Sequence, residues 1–528
     1  MLKPAGKSAA AAVVAAALTG SVAAAIPARA AAPAPERRPE ATISWKACAK
    51  KAGGRLHGLE CGSLRVPLDY GRPDGEKITL ALSRAKHTSS AAKYQGAVLL
   101  NRGGPGADGL DMPSMFSRGL PASVASTYDW IGFDPRGVGA SRPALVCDKS
   151  YQDPGGPKPD TIPASEAEED AWKRKARAYA DDCQKRYGKM LPHMGTADWA
   201  RDMDAIRAAL GERKLNFFGY SYGTYLGAVY ATMYPLRVRR MALDSVARPS
   251  GVWYENNLDQ NVAFEKRIGQ YFTWIARYNK TYRLGSTRAA VAASYAKARA
   301  QLKAKPAKGR VGAYELDDIF LADGYGDYTW PAHARALSTY LVKKNPDLLA
   351  RHWSPPSWLD QNNYAVYNAV QCRDAEWPRR WGRWHRDNWR LYRQGYRFET
   401  WSNAWYNAPC AYWGVRGGPA PAVYGSLGLT RPLLIQASED AATPYGGAVE
   451  MHNRFPGSRL VVQVGGGNHG VALSGDKCVD KAVAAYFADG ALPDDSPGPD
   501  LRCKAAPPID PERRQAARRA LPEPLAGR

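Results

Sequence analysis

The sequence predicts an α/β protein built on a doubly wound, mostly parallel β-sheet that one large helical insertion interrupts. Short runs that are apolar throughout, such as residues 97–100, alternate along the chain with amphipathic helical patterns. Runs without polar alternation suit parallel strands buried on both faces, and their alternation with helices is typical of a sheet covered on both sides. The alternation stops over residues 250–425, where the insertion is expected.

Strand candidates follow in order, each bounded by glycine or a turn. Two come first, "GSLRVPLDY" and "KITLALSRAKH", separated by the turn "GRPDGE". Further strands are expected within residues 97–106, 128–139, 215–221, 238–246, 431–440 and 458–467. Between them, "TADWARDMDAIRAALG" places Trp199, Met203 and Ile206 on one face of a helix that Gly211 ends.

The insertion is helical in tendency and strongly aromatic, as in "WPRRWGRWHRDNWRLYRQ". It separates two strand candidates, so it is expected to form a lid over the carboxyl ends of the strands, where open α/β sheets bind ligands. The core then consists of two parts, residues 48–249 and 426–503, and a Pro/Arg-rich tail covers residues 504–528.

The N-terminus has the features of an export signal. Lys3 and Lys7 precede an alanine-rich apolar run, and "ARA" at residues 28–30 supplies the small residues that signal peptidase requires. A signal peptide over residues 1–30, cleaved near Ala30, and a leader or propeptide over residues 31–47 are expected. The apolar run is too short for a stable membrane span, and no later stretch is long and apolar enough. We therefore expect a secreted protein.

Eight cysteines in an exported chain can all form disulfides, because the compartment is oxidising. Eight cysteines allow 105 pairings, and the spacing favours four sequential loops. The expected pairs are Cys48–Cys61, Cys147–Cys183, Cys372–Cys410 and Cys478–Cys503. None of these cysteines has the paired CxxC spacing of a zinc site, so no metal is expected.

The formal net charge is +23, a balance that often indicates binding to nucleic acid or to an anionic surface. Here the arginines are scattered among tryptophans and acidic residues, without a long basic tract or a nucleic-acid-binding motif. The charge therefore indicates a solvated basic surface, and nucleic acid is not expected as a partner.

The run "FFGYSYGTYLG" at residues 217–227 contains the candidate nucleophile, Ser221. An apolar strand candidate precedes it and a helix follows, which is the strand-to-helix elbow that exposes a serine hydroxyl above the sheet of an α/β-hydrolase. Gly219 and Gly223 are needed there because the strand and helix backbones approach too closely for side chains. This context favours a catalytic serine over a structural glycine-rich turn.

A serine nucleophile requires a general base and a carboxylate that orients it, and in this fold the order is serine, acid, histidine. His469 is the best base, because it follows the last strong strand in the glycine loop "GGGNHG". Asp440, in the turn after "LLIQASE", is the preferred acid. Asp244, one strand earlier, is the alternative.

Acyl transfer also requires N–H donors for the developing oxyanion. One is expected from the main chain of Tyr222, the residue after the nucleophile. The second is expected from the loop "NRGGPG", with Gly104 preferred and Gly103 next. A glycine-rich loop can also bind phosphate, but this one lacks the lysine and the spacing of known phosphate-binding loops. The proposed chemistry needs no cofactor.

Five motifs, in this order, resemble the secreted bacterial tripeptidyl aminopeptidases, which are lidded α/β-hydrolases related to proline iminopeptidases: "NRGGPG", "GFDPRGVGAS", "GYSYGTYLGAVYA", "DAATPYGGAVEMH" and "GGGNHG". The resemblance runs from about Cys48 to Cys503. It implies a triad of Ser221, Asp440 and His469, and an exopeptidase that releases short peptides, typically tripeptides, from free N-termini. Peptides or proteins are the implied substrates.

The chain departs from its relatives at two places. The residue before the glycines of "NRGGPG" is not the histidine of proline iminopeptidases, which argues against a strict proline iminopeptidase. "LDSVARP" lacks a glycine that relatives commonly carry after the aspartate, a change that affects no proposed catalytic role.

An aminopeptidase must hold a charged N-terminus, and acidic residues of the lid are suited to this. "QCRDAEWP" supplies Asp374 and Glu376 beside Cys372. The alternative is an exposed acidic pair that balances nearby arginines.

Two other functions fit parts of the pattern. The same triad serves a secreted esterase or lipase, and the aromatic lid suits acyl chains. A non-catalytic peptide- or cell-wall-binding protein on a hydrolase scaffold is less well supported, because the full set of triad candidates is present.

Overall fold

The structure is a computed structural model, and it describes residues 42–49, 54–426 and 428–511. The expected signal peptide, residues 31–41 of the expected leader and residues 512–528 of the expected tail lie outside the described residues.

The described residues form a sheet of ten strands, which confirms the predicted fold class. The strands are β1 (Lys46–Ala47), β2 (Glu60–Pro67), β3 (Lys77–Ala85), β4 (Ala97–Asn101), β5 (Asp129–Asp134), β6 (Leu215–Tyr220), β7 (Val238–Asp244), β8 (Leu433–Ala437), β9 (Arg459–Val464) and β10 (Leu501–Lys504). Their spatial order is β1-β2-β3-β5-β4-β6-β7-β8-β9-β10. The β1–β2, β2–β3 and β3–β5 pairs are antiparallel, and every later pair is parallel.

The helices before β7 are α1 (Met112–Gly119), α2 (Ala122–Ala125), α3 (Lys149–Gln152), α4 (Glu166–Tyr187), α5 (Thr196–Ala209) and α6 (Tyr222–Met233). Between β7 and β8 lie α7 (Tyr254–Arg277), α8 (Asn279–Tyr282), α9 (Arg288–Ala304), α10 (Ala313–Tyr325), α11 (Trp330–Lys343), α12 (Asp347–Arg351), α13 (Trp358–Asp374), α14 (Trp381–Arg393), α15 (Thr400–Asn407) and α16 (Pro409–Tyr412). The last two are α17 (Tyr445–Arg454) and α18 (Lys477–Asp489). Short 3-10 turns span Ala91–Lys93, Leu191–His193, Pro235–Arg237 and Pro249–Gly251.

The central strands are buried on both faces, as their uniformly apolar sequences predict. In β6, Phe217 packs into the apolar layer on one side of the sheet and Phe218 packs into the layer on the other. Both side chains are fully buried. The sheet therefore holds the carboxyl end of β6 rigidly, and the residue that follows it has a fixed position.

The insertion between β7 and β8, called the lid below, has two parts with different packing. Helices α7 and α9–α11 enclose a hydrophobic core of their own, which includes Tyr271, Phe320 and Trp330. Tryptophans of the aromatic stretch pack elsewhere: Trp401 and Trp405 lie against Trp172 of α4. The second part of the lid is therefore fastened to the core helices, and the first part is a compact unit.

Two features bind the start of the Pro/Arg-rich tail to the rest of the molecule. Strand β10 pairs in parallel with β9 through Lys504. Residues 507–511 then line the large cavity under the lid, and the carbonyl of Ile509 accepts a hydrogen bond from the indole of Trp274 in α7. The described part of the tail is thus bound to the lid.

Four disulfides are present among the described residues: Cys48–Cys61, Cys147–Cys183, Cys372–Cys410 and Cys478–Cys503. In the described part of the chain, no helix is long and apolar enough to span a membrane.

Candidate active site

Ser221 occupies the tight turn between β6 and α6. Its backbone has φ 56° and ψ −125°, a conformation that is costly for any residue with a side chain and that occurs where function requires strain. Gly219 permits the turn, because a Cβ atom there would lie 2.5 Å from the carbonyl oxygen of Gly223. The turn places Ser221 at the carboxyl end of β6, where it lines the cavity.

His469 and Asp440 follow the neighbouring strands β9 and β8, and the structure brings them together. The Nδ1 atom of His469 lies 2.9 Å from Oδ2 and 3.1 Å from Oδ1 of Asp440. The carboxylate also accepts hydrogen bonds from the main-chain N–H groups of Ala442 and Thr443 and from the Thr443 hydroxyl. An imidazole held through Nδ1 leaves Nε2 available as a proton acceptor. His469 lines the same cavity as Ser221.

The electrostatic surroundings favour a strong base. The His469 side chain is only 9% exposed. Burial lowers the pKa of His469, but the charge of Asp440, the hydrogen bond to Asp440 and the charge of Asp244 together outweigh burial and raise this pKa above its usual value. A higher pKa makes the imidazole a better acceptor for a hydroxyl proton.

Asp244, the alternative acid, contacts the main chain beyond His469. Its Oδ2 atom accepts hydrogen bonds from the N–H groups of Val471, at 2.9 Å, and Ala472, at 2.7 Å. Burial raises the pKa of Asp244 to about 7, although these hydrogen bonds and one from the Ser245 hydroxyl lower it part-way. Asp244 therefore holds the main chain of the loop that carries His469, whereas Asp440 is hydrogen-bonded to the imidazole itself.

The expected oxyanion donors lie beside the elbow, but they are not equivalent. The N–H of Gly103 already donates to the side chain of Asn101, at 3.0 Å. Gly104 and Tyr222 both line the cavity. Tyr222 is the first residue of α6, so its N–H has no acceptor inside the helix and lies at the positive end of the helix dipole. Of the two glycines, Gly104 is the better candidate.

The cavity has a volume of about 3240 Å³ and lies between the core and the lid. This is several times the volume of an ordinary small-ligand pocket, about 300–1,000 Å³. The core lines it with Ser221, His469 and Gly104, and the lid contributes, among others, Tyr325, Tyr367 and Glu399. A space of this size and aromatic character accommodates a peptide segment.

Asp374 and Glu376 do not fit the amine-binding role expected for them. Asp374 is 3% exposed and lies outside the cavity lining. It accepts hydrogen bonds from the Thr196 main chain, the Thr196 hydroxyl and the Trp253 indole, which fix α5 against the lid. Burial raises its pKa to about 6. Glu376 is exposed, also outside the cavity lining.

Glu399 is a residue of the site that the sequence analysis missed. It is 9% exposed, stands at the start of α15 and lines the cavity. Burial raises the pKa of Glu399 well above its usual value. A hydrogen bond with the Ser402 side chain lowers this pKa in part, and the charges of Asp317 and Asp318 raise it further. Among the described residues, no lysine, arginine or histidine forms an ion pair with it. No local motif marks Glu399, since its surroundings come from distant parts of the chain.

One group of side chains in the described ranges has distances suited to a metal ion: Asp476, Cys478 and Cys503. The two cysteines are joined as a disulfide, so neither offers a thiolate to a metal.

Comparison with known proteins shows the family to which the chain belongs. The model of the "alpha/beta hydrolase fold" family matches residues 96–316, and that of the "TAP-like protein" family matches residues 396–503. The chain is 44% identical over 475 residues to "Tripeptidyl aminopeptidase" of Streptomyces lividans, covering 88% of this chain and 87% of that protein. The chain belongs to the tripeptidyl aminopeptidase family.

Other proteins that are less similar to this chain have different names. "Serine protease Hip1" of Mycobacterium tuberculosis is 30% identical, over 85% of this chain and 89% of that protein. "Carboxylesterase B" of the same species is also 30% identical, over 87% of this chain and 89% of that protein. By its family, the chain is a serine hydrolase of the aminopeptidase type, in the α/β-hydrolase class.

Proposed function

We propose that the chain is a secreted exopeptidase that releases short peptides, typically tripeptides, from free N-termini through an acyl-enzyme on Ser221. The observation that carries the proposal is Glu399, a buried carboxylate of the lid that lines the cavity and has no cationic partner among the described residues. Burial favours the neutral form of Glu399 in the free enzyme, and a bound ammonium group of the substrate would supply the counter-charge that the ionised carboxylate needs.

In the proposed reaction, the substrate enters the cavity with its amine at Glu399 and its scissile carbonyl at Ser221. His469 accepts the hydroxyl proton through Nε2 as Ser221 Oγ attacks the carbonyl carbon, and Asp440 stabilises the imidazolium that forms. The N–H groups of Tyr222 and Gly104 donate to the oxyanion. The C–N bond then breaks, and His469 donates its proton to the leaving amine.

A water molecule completes the cycle. It attacks the acyl carbon while His469 accepts its proton, and the proton passes back to Ser221 Oγ as the released peptide leaves. The number of residues removed in each cycle is set by the length of peptide that fits between Glu399 and Ser221. Amine binding at Glu399 therefore accounts for both exopeptidase action and a fixed product length.

The test compares a tripeptide arylamide that has a free amine with its N-acetylated form. Acetylation removes the charge, so the wild-type enzyme should prefer the free amine. Glu399→Gln should reduce this preference in kcat/KM by roughly 10- to 100-fold, the value of one charge-assisted hydrogen bond. Hydrolysis of p-nitrophenyl acetate, which has no amine, should change far less.

Glu376→Gln is the matched control, because it makes the same substitution on the lid at an exposed position outside the cavity lining. It should retain the wild-type preference. An unchanged preference in Glu399→Gln would contradict the amine-binding role of Glu399. A wild-type enzyme that cleaves free and acetylated substrates equally would contradict exopeptidase action itself.

A secreted esterase is the second candidate, and the 30% identity to "Carboxylesterase B" favours it. The chemistry on Ser221 would be the same, with an ester oxygen as leaving group. Tripeptide arylamides and p-nitrophenyl esters of graded chain length, compared by kcat/KM, separate the two. Hydrolysis of esters without any cleavage of arylamides would favour the esterase.

The four disulfides support the proposal that the protein is exported, because such bonds persist in oxidising compartments. N-terminal sequencing of the protein from the medium of a secreting host tests this. A mature chain that begins just after Ala30 is the expected result.

A further inference from the structure

The lid binds directly to the loop that carries His469. The main-chain N–H of His469 donates to the carbonyl of Tyr325, at the end of α10, at 2.8 Å. The rings of the two residues meet edge to face, with centroids 5.5 Å apart. The position of the imidazole therefore depends on a helix of the lid as well as on the sheet.

The preceding residue, Asn468, forms a reciprocal pair with Asp327 of the lid. The N–H of Asp327 donates to Asn468 Oδ1 at 2.9 Å, and Asn468 Nδ2 donates to Asp327 Oδ1 at 3.1 Å. A side-chain amide that is satisfied at both ends by one residue is fixed in orientation as well as in position.

Arg267 of α7 supports this pair from the interior of the lid. Its guanidinium is buried and stacks over Trp330 at 4.7 Å. It donates to Asn468 Oδ1 at 3.4 Å and lies against Gly467, where a Cβ atom would collide with it. The lid thus contacts both residues that precede His469, Gly467 and Asn468.

The residues after His469 are held by the core instead. The N–H of Gly470 donates to Ser245 Oγ at 2.8 Å, and Asp244 holds the next two N–H groups. His469 therefore lies where the lid meets the sheet. The residues just before it are hydrogen-bonded to the lid, and the residues just after it are hydrogen-bonded to the end of β7. A shift of the lid relative to the sheet would move the residues before His469 without moving those after it, and would therefore change the orientation of the imidazole.

We propose that Asn468 and Asp327 are positioning residues that align His469 for proton transfer only when the lid occupies the position described here. The inference rests on the proposed role of His469 as the base. The pair touches neither of the reacting atoms assigned above, so it acts through the orientation of the imidazole. A misplacement of about 1 Å at a catalytic group costs about 100-fold in rate.

The experiment uses the full chain and two substrates, a tripeptide arylamide and p-nitrophenyl acetate. Asn468→Ala should lower kcat for both substrates by about 10- to 100-fold with little change in KM, because both reactions use the same base. Asp347→Ala is the matched control, since this half-exposed aspartate pairs with Lys308 on the lid surface. It should retain wild-type rates on both substrates.

Exchange of the two residues provides a test that does not depend on the alanine variant folding. Asn468→Asp alone sets two carboxylates against each other and should lower kcat. Asn468→Asp combined with Asp327→Asn restores an amide opposite a carboxylate with the net charge unchanged, so kcat should recover. Thermal unfolding of each variant separates a loss of fold from a loss of alignment.

Three results would overturn the proposal: wild-type kcat in Asn468→Ala, a loss confined to KM for the peptide, or no recovery in the exchanged pair when it is folded. The proposed function is tested separately by Ser221→Ala and His469→Ala. If those two variants are inactive while Asn468→Ala is fully active, only the positioning role fails. If they remain active, the proposed function fails as well.

Discussion

Asp244 holds Ser221 through its main chain and the loop of His469 through its side chain. The N–H of Ser221 donates to the carbonyl of Asp244 at 2.9 Å, while the Asp244 carboxylate accepts the N–H groups of Val471 and Ala472. The last residue of β7 thus connects the proposed nucleophile with the loop of the proposed base. This geometry gives Asp244 and Asp440 different roles, which substitution can separate.

Asp440→Asn should lower kcat by about 10⁴-fold, because the amide favours the wrong tautomer of His469 and cannot stabilise an imidazolium. Asp244→Asn should lose far less activity, since an amide oxygen still accepts the two N–H groups. Steady-state kinetics on a tripeptide arylamide measures both. If Asp244→Asn proved the more damaging change, the assignment of the acid would be reversed.

The pH dependence of kcat/KM should have an acid limb that reports His469. The base must be neutral, so activity falls as pH drops below its pKa, about tenfold per unit. Because Asp440 and Asp244 raise this pKa, the limb should lie above the usual pKa of histidine. Asp440→Asn removes the larger of the two charge contributions and should move the limb to lower pH. A limb that stays fixed in this variant would assign it to another group.

Gly103→Ala should damage the elbow although Gly103 lies outside the cavity lining. A Cβ atom there would lie 2.5 Å from the carbonyl oxygen of Tyr220 and 2.9 Å from Ser221 Cβ, on a backbone with φ 102°. We expect a large loss of kcat and slow labelling of Ser221 by a fluorophosphonate probe. Gly382→Ala, at an exposed position of α14 with no atom within 4 Å of its added Cβ, is the control. Equal labelling of the two variants would refute this account of Gly103.

Some of these features could be predicted from sequence because their signals are local. Each central strand is a short apolar run, and the elbow places a serine between two glycines at the junction of a strand and a helix. Strand β10 escaped prediction because it is four residues long and only Cys503 in it is buried.

The proposed amine-binding residue, Glu399, could not be predicted because its burial depends on long-range contacts. Asp374 is acidic and follows a cysteine, yet its hydrogen-bond partners Thr196 and Trp253 are 178 and 121 residues away in the chain. Glu399 differs from other acidic residues of the lid only in its three-dimensional surroundings. The local strand–turn–helix pattern therefore predicts where the proposed nucleophile lies, whereas residue type alone does not predict which acidic residues line the cavity.

The Cys372–Cys410 disulfide should stabilise the second part of the lid. It joins the end of α13 to α16 across 38 residues. Replacing both cysteines by serine should lower the free energy of unfolding by about 2–4 kcal/mol, as measured by denaturant titration. Fluorophosphonate labelling of the folded variant at 25 °C should continue, because the bridge contacts neither Ser221 nor His469. An unchanged unfolding midpoint would show that the crosslink adds no stability.

The lid leaves and re-enters the sheet through adjacent strands, since the N–H of Ser245 donates to the carbonyl of Ile435 in β8 at 2.9 Å. Because β7 and β8 are parallel, the lid begins at the carboxyl end of one strand and ends at the amino end of the next, and exchange of this one continuous segment by recombination would leave the strands of the sheet in place. One restriction on that exchange follows from the Asn468–Asp327 pair, because Asn468 remains with the sheet and Asp327 travels with the lid. Under the proposed positioning role, a foreign lid without a partner for Asn468 would supply a new pocket together with a misaligned histidine. Lid and histidine loop are therefore expected to be inherited together.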